Sequence, residues 1–94
     1  MHETASNETI SLTDQVRFRA VGEDGVLVHL ESGRVIVVNE VGLHIVQQLN
    51  ESRARADLAS SIVSEFEVSA EQAETDLDAF LAELDQEQIL VRAQ

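Results

Sequence analysis

The hydrophobic pattern of this chain changes period once, at Asn39, and that switch decides which folds are open to it. Before it, apolar residues alternate with polar ones or run as short β-branched stretches. Val16 to Val21 sets apolar side chains against Arg17 and Arg19, Val26 to Leu30 is a second extended run, and Arg34 to Val38 a third. Gly22, Glu23, Asp24 and Gly25 supply turn chemistry between the first two, and Glu31, Ser32 and Gly33 between the second and third. The expectation is a three-stranded antiparallel meander. After the switch the spacing is helical. Asn39 is a good N-cap, with Gly42, Ile45, Val46 and Leu49 on one side of a helix of about ten residues that ends near Asn50. A second helix is predicted from Arg55 to Phe66, carrying Leu58, Ile62 and Phe66 at four-residue intervals. The third is marked by a capping box, Ser69 with Gln72, followed by Ala73, Leu77, Phe80, Leu81 and Leu84. Ile89 to Val91 forms a short extended tail.

Three strands followed by three helices define an α+β class, in which the helices cover the apolar face of the sheet. At 94 residues the chain makes one domain and leaves little volume for a deep catalytic cavity. The polar opening, residues 1–11, is expected to be a flexible N-terminal segment, with 12–94 as the folded domain. There is no cysteine, hence neither a disulfide framework nor a thiolate metal site. No apolar run approaches the roughly 20 residues that span a bilayer, and the N-terminus lacks the form of a signal peptide, so a cytoplasmic location is expected.

Charge narrows the functional classes. Six basic residues, all arginine, face eighteen acids, and a net charge of −12 repels both a polyphosphate backbone and an anionic membrane. From Ala56 to Val91 the chain has acids but no base, a surface that would steer a basic partner or simply keep helices solvated. Catalytic signatures are missing: His2, His29 and His44 are far apart and read as surface or satisfied side chains, four scattered glycines make no phosphate cradle, and Asp76 and Asp78 fall on different sides of a helix. No enzyme activity, cofactor or metal is expected.

The informative feature is the third strand. In Val35, Ile36, Val37 and Val38 both alternating faces are apolar, whereas a meander with helices on one side should leave the other face polar. Something covers the second face or the edge: the C-terminal tail folded back, a second copy of the chain, or an extended peptide added as a further strand. No lysine or proline guards those four residues.

Here the order of elements resembles a known family. The run VVNEVGLHIVQQL resembles the pattern Leu-Asn, small residue, isoleucine, apolar, leucine of PqqD-like proteins, the recognition elements of ribosomally made and post-translationally modified peptides, on Val38, Asn39, Gly42, Ile45, Val46 and Leu49. DLASSIVSEF and DLDAFLAELDQEQIL are similar to that family's second and third helices, so the resemblance runs from about Leu12 to Val91. Asn50 and Glu51 stand where the family usually has a glycine, and Ala54 and Arg55 where a threonine and an apolar residue usually open the second helix. The resemblance implies a winged helix-turn-helix-like fold. It also implies binding of a precursor's leader peptide as an added strand beside the third strand, in the groove that strand forms with the third helix, and delivery to a maturase such as a radical S-adenosylmethionine enzyme or a leader peptidase.

On that reading the peptide-binding residues are Arg34, Val35, Ile36, Val37 and Val38 on the strand, and Ala73, Asp76, Leu77, Phe80, Glu83 and Leu84 on the helix. Asp76 and Glu83 face basic leader residues and Arg34 an acidic one. Among Leu77, Phe80 and Leu84 at least one is expected to be plain core. The protein is expected to be a monomer or weak homodimer. Its rivals are a winged-helix DNA-binding module, for which the third helix lacks basic residues, and a homodimerisation module pairing through the third strand.

Overall fold

A computed structural model describes residues 8–93. The elements run β1 (Thr9–Leu12), β2 (Val16–Val21), β3 (Asp24–His29), β4 (Val35–Val38), α1 (Glu40–Gln48), α2 (Arg55–Phe66), α3 (Ala70–Gln86) and β5 (Leu90–Ala93). The fold is α+β: a three-stranded antiparallel sheet in the order β2-β3-β4, three helices, and a separate two-stranded sheet of β1 and β5. The predicted meander and all three helices form within about two residues of their expected limits, the largest shift being Asp24 and Gly25, expected in the turn and found in β3.

Strand alternation decides what the sheet gives to the core. Phe18, Leu27 and Ile36 lie opposite one another across the three strands, as do Ala20, Gly25 and Val38. This face turns inward, where Leu27, Val38 and Val16 are buried, and α1 lays Leu43, Ile45, Val46 and Leu49 against it. Gly25 allows the close approach: a Cβ there would stand 2.8 Å from Leu43 Cδ1 and 3.0 Å from Val38 Cγ2. Leu58 and Ile62 of α2, and Ala73, Leu77, Leu81 and Leu84 of α3, complete one continuous core.

The helix starts follow their caps. Asn39 keeps extended backbone while its Oδ1 accepts from the Gly42 N–H at 2.9 Å, and Ser69 Oγ accepts from Gln72 N–H at 3.0 Å. Asn39 turns the chain from β4 straight into α1. Asn39→Ala is therefore expected to lower stability by about 1 kcal/mol, read as a lower urea midpoint with an unchanged slope.

Two expectations are corrected. The segment 1–11 assigned to a flexible N-terminus includes Thr9, Ile10 and Ser11 of the strand Thr9–Leu12, with Ile10 only 1% exposed; residues 1–7 lie outside the described residues. Its partner is the C-terminal tail: Thr9 pairs with Ala93 and Leu12 with Leu90. Ile10 also exchanges backbone hydrogen bonds with Arg53, at 2.7 and 2.9 Å. The tail thus does not fold back on the third strand. Its hydrogen bonds are taken by β1, and β4 keeps an open edge among the described residues.

His29 is also more deeply placed than its strand position suggested. It is buried on the core face, with Nε2 donating to the carbonyl of Gln88 at 3.3 Å and Nδ1 without a partner among the described residues. Gln88 adopts φ 60° to turn the chain from α3 into β5, which brings that carbonyl inward.

Candidate functional site

The open edge of β4 has a definite polarity. His29 N–H donates to the carbonyl of Arg34 at 2.9 Å, and the pairing continues with Leu27 opposite Ile36 and Gly25 opposite Val38. Backbone groups of an antiparallel strand alternate in direction, so those of Ile36 and Val38 face β3 while the N–H and C=O of Val35 and Val37 face outward. On the other flank of β3, Leu30 N–H donates to Gln15 C=O at 2.7 Å, which sets the complementary alternation there. Two residues on β4 thus present unpaired donors and acceptors in strand geometry.

Beside this edge runs a groove. Ile36 and Val37 on one side and Phe80, Glu83, Leu84, Gln86 and Glu87 on the other line a hollow of about 300 Å³. Past Phe80 and Glu83 a second hollow of about 240 Å³ opens between α3 and the start of α1, lined by Asn39, Val41, Gly42, Asp76 and Ala79. Phe80 separates the two, half-buried against the core. It lies over Gly42, where a Cβ would come within 2.9 Å of its ring, so the glycine makes room for the aromatic floor. At the far end Arg34 pairs with Glu87 at 2.7 Å.

The electrostatics are one-sided. Asp76, Glu83 and Glu87 recur along the groove side of α3, and the only arginine there, Arg34, is matched by Glu87. On another face of α3, Glu74 and Asp78 grip Arg55; the hydrogen bond to Glu74 is the chief reason its guanidinium is held above even its usual range. The groove therefore suits an occupant with an extended backbone, apolar side chains for Phe80 and Ile36, and positive charge.

Several anticipated residues take different roles. Ala73 and Leu77 are fully buried and support the groove from behind, Leu84 lines the hollow while only 1% exposed, and of the apolar trio on α3 it is Phe80 that offers most surface. Helical spacing alone could not separate them because Leu77, Phe80 and Leu84 fall within one broad apolar stripe. Val35 and Val37 are 61% and 70% exposed, but their side chains point to the face of the sheet away from the helices; they offer the edge their backbone, and Ile36 supplies the strand's apolar contact with the groove. Val38 is buried in the core. Arg34 is engaged by Glu87 rather than free. Asp76 and Glu83 do line the hollows, with Asp76 accepting from Gln72 at 2.8 Å. Glu87, Gln86, Asn39, Val41 and Ala79 were not anticipated. Glu87 was legible in principle, since it follows Asp76, Phe80 and Glu83 at helical spacing.

Among the described residues no group of three or more His, Asp or Glu side chains is placed to hold a metal ion, and no helix is long and apolar enough to cross a membrane.

A small α+β domain with an open strand edge beside an acidic, aromatic-floored groove is built to take up an extended chain. The family model for coenzyme PQQ synthesis protein D (PqqD) matches residues 24–90, and the chain belongs to the PqqD family. Among solved structures it is similar to TbiB1 in complex with the TbiA(beta) leader peptide, at 28% identity and a TM-score of 0.77 over 85% of this chain and 93% of that one. It is also similar to lasso peptide synthetase B1 complexed with the leader peptide, at 27% identity and a TM-score of 0.74 over 87% of this chain and 96% of that one. No curated protein matches at a significant level.

Proposed function

We propose that this domain binds the leader region of a ribosomally made precursor peptide as an added strand on β4 and presents the peptide to a separate modifying enzyme. The observation that carries the reading is the outward N–H and C=O of Val35 and Val37 beside the Phe80 groove, in a fold shared with two leader-peptide complexes. Each backbone hydrogen bond gained contributes about 1 kcal/mol net, so the edge alone sets direction and spacing more than affinity. Affinity comes from apolar leader side chains seated against Phe80 and Ile36, and selectivity from Asp76 and Glu83, which favour basic leader residues. The domain works without catalytic residues or cofactor, as a monomer or weak homodimer in the cytoplasm, and delivers its cargo to a maturase such as a radical S-adenosylmethionine enzyme or a leader peptidase.

Amide hydrogen exchange with the co-encoded leader peptide tests this directly. Val35 and Val37 amides are expected to exchange fast in the free protein and to slow by at least about tenfold on saturation, while the Ile36 amide, already bonded to β3, is slow in both states. Equal exchange at Val35 and Val37 with and without bound leader would remove β4 as the docking strand.

A further inference from the structure

The sheet has a second exposed surface, which meets the groove only at the edge residue Val37. Of the five large apolar side chains that stand most exposed among the described residues, four share the face of the β2-β3-β4 sheet opposite the core: Val21 at 54%, Leu30 at 52%, Val35 at 61% and Val37 at 70%. Alternation from the buried residues Val16, Leu27 and Val38 fixes this placement, and half-buried Val26 and Val28 of the central strand lie between them. The rows across the sheet read Arg17, Val28, Val35 and Arg19, Val26, Val37. An apolar patch of this continuity marks a contact surface.

The charges single out the same face. Arg34, Arg53, Arg55 and Arg92 each pair with at least one carboxylate. Arg17 reaches only the backbone carbonyls of Asp14 and Val16, at 2.9 and 3.1 Å, and neither it nor Arg19 has a carboxylate partner among the described residues. In a chain of net charge −12, the two arginines without a carboxylate partner among the described residues border this exposed apolar surface.

We propose that this outer face docks the modifying enzyme, through an apolar patch on the enzyme bordered by carboxylates. The proposal rests on the peptide-holding reading above, and geometry joins the two. A leader strand added to β4 extends the same sheet, so its outward side chains adjoin Val35 and Val37, and an enzyme seated on this face lies alongside the bound peptide. A second copy of the chain is a poorer occupant: a twofold contact would bring together two bodies each carrying −12. An anionic lipid surface is repelled by the same charge.

The test uses the full chain, the leader peptide and a purified enzyme that modifies that peptide. Arg17→Glu with Arg19→Glu is expected to weaken enzyme association by about tenfold or more, with a smaller effect at high salt, and to change leader affinity by less than about twofold. Val28→Thr, which keeps a β-branched residue on the central strand, is expected to weaken enzyme association severalfold with leader binding retained. Enzyme association that ignores all three substitutions, or that is absent in the parent protein, overturns the docking face while leaving the peptide reading intact wherever the leader still binds. Sedimentation of the parent alone as a dimer that Val28→Thr dissociates assigns the face to a second copy and likewise overturns it. Failure of the parent to bind leader removes both proposals.

Discussion

Proline at Ile36 is expected to unfold the domain, whereas proline at Val37, the next residue, leaves it folded and unable to hold a leader strand. The two differ only in the direction of one N–H. At Ile36 that group faces Leu27 on β3, and its loss leaves a buried carbonyl without a partner in the sheet that holds Leu27 and Val38. Such a loss costs about 1–3 kcal/mol, and the ring's clash with the ladder adds to it. Set against a total of about 5–14 kcal/mol for a domain of this size, Ile36→Pro is expected to abolish or severely broaden the thermal transition. At Val37 the N–H faces outward and the side chain is exposed, so proline removes nothing the free domain uses. It does remove a donor from the edge and places a ring where the added strand must lie. A loss of about 2 kcal/mol or more, roughly thirtyfold in affinity, is expected by titration calorimetry. Val37→Pro that folds and binds leader as the parent does would exclude docking at this edge.

The second contrast lies on α3. Leu77 has no exposed surface, and Leu77→Ala is expected to cost about 2–5 kcal/mol, lowering the melting temperature by ten degrees or more in a domain of this size. Phe80, one turn away, is half-buried and forms the floor shared by both hollows. Phe80→Ala is expected to cost about 1–2 kcal/mol of stability, less than a fully buried aromatic, and about tenfold or more in leader affinity. Thermal melts and calorimetry on the same pair separate the roles. Equal loss of stability in both variants, with affinity untouched in Phe80→Ala, would return Phe80 to the core and leave the groove without a floor.

What the sequence disclosed and what it withheld follow from the range over which each signal acts. Asn39, Ser69 and the turn glycines act within three or four residues, so the meander and the helices could be placed closely. Val35 to Val38 announced an edge in want of cover because four β-branched or apolar residues in a row violate the alternation of a one-sided sheet. Thr9–Leu12 was missed for the opposite reason. Four residues with one buried isoleucine carry little local pattern, and their hydrogen-bonding partners lie at Arg53 and beyond Ile89, far along the chain. The division of α3 between Leu77 and Phe80 was equally unreadable, since it depends on where α1 crosses and on the space left at Gly42. The side-chain direction of Val35 and Val37 was recoverable from alternation once Val38 was fixed as buried, but both apolar faces of the strand offered themselves as the inner one.

The ladder of β1 and β5 has a mechanical character. Its antiparallel register places Thr9 opposite Ala93 at the outer end and Leu12 opposite Leu90 at the inner end, so the chain enters and leaves the domain at the same end of the ladder. Tension applied through these two points acts across the strands rather than along them, and the rungs yield one after another from Thr9–Ala93 inward, as in a zipper, instead of sharing the load as rungs in shear do. The ion pairs of Arg92 with Glu8 and Asp85 sit at that opening end. The sheet that carries the open edge is reached only after the zipper has run to Leu12, so a pull on the ends of the domain is spent first on strands that hold no peptide.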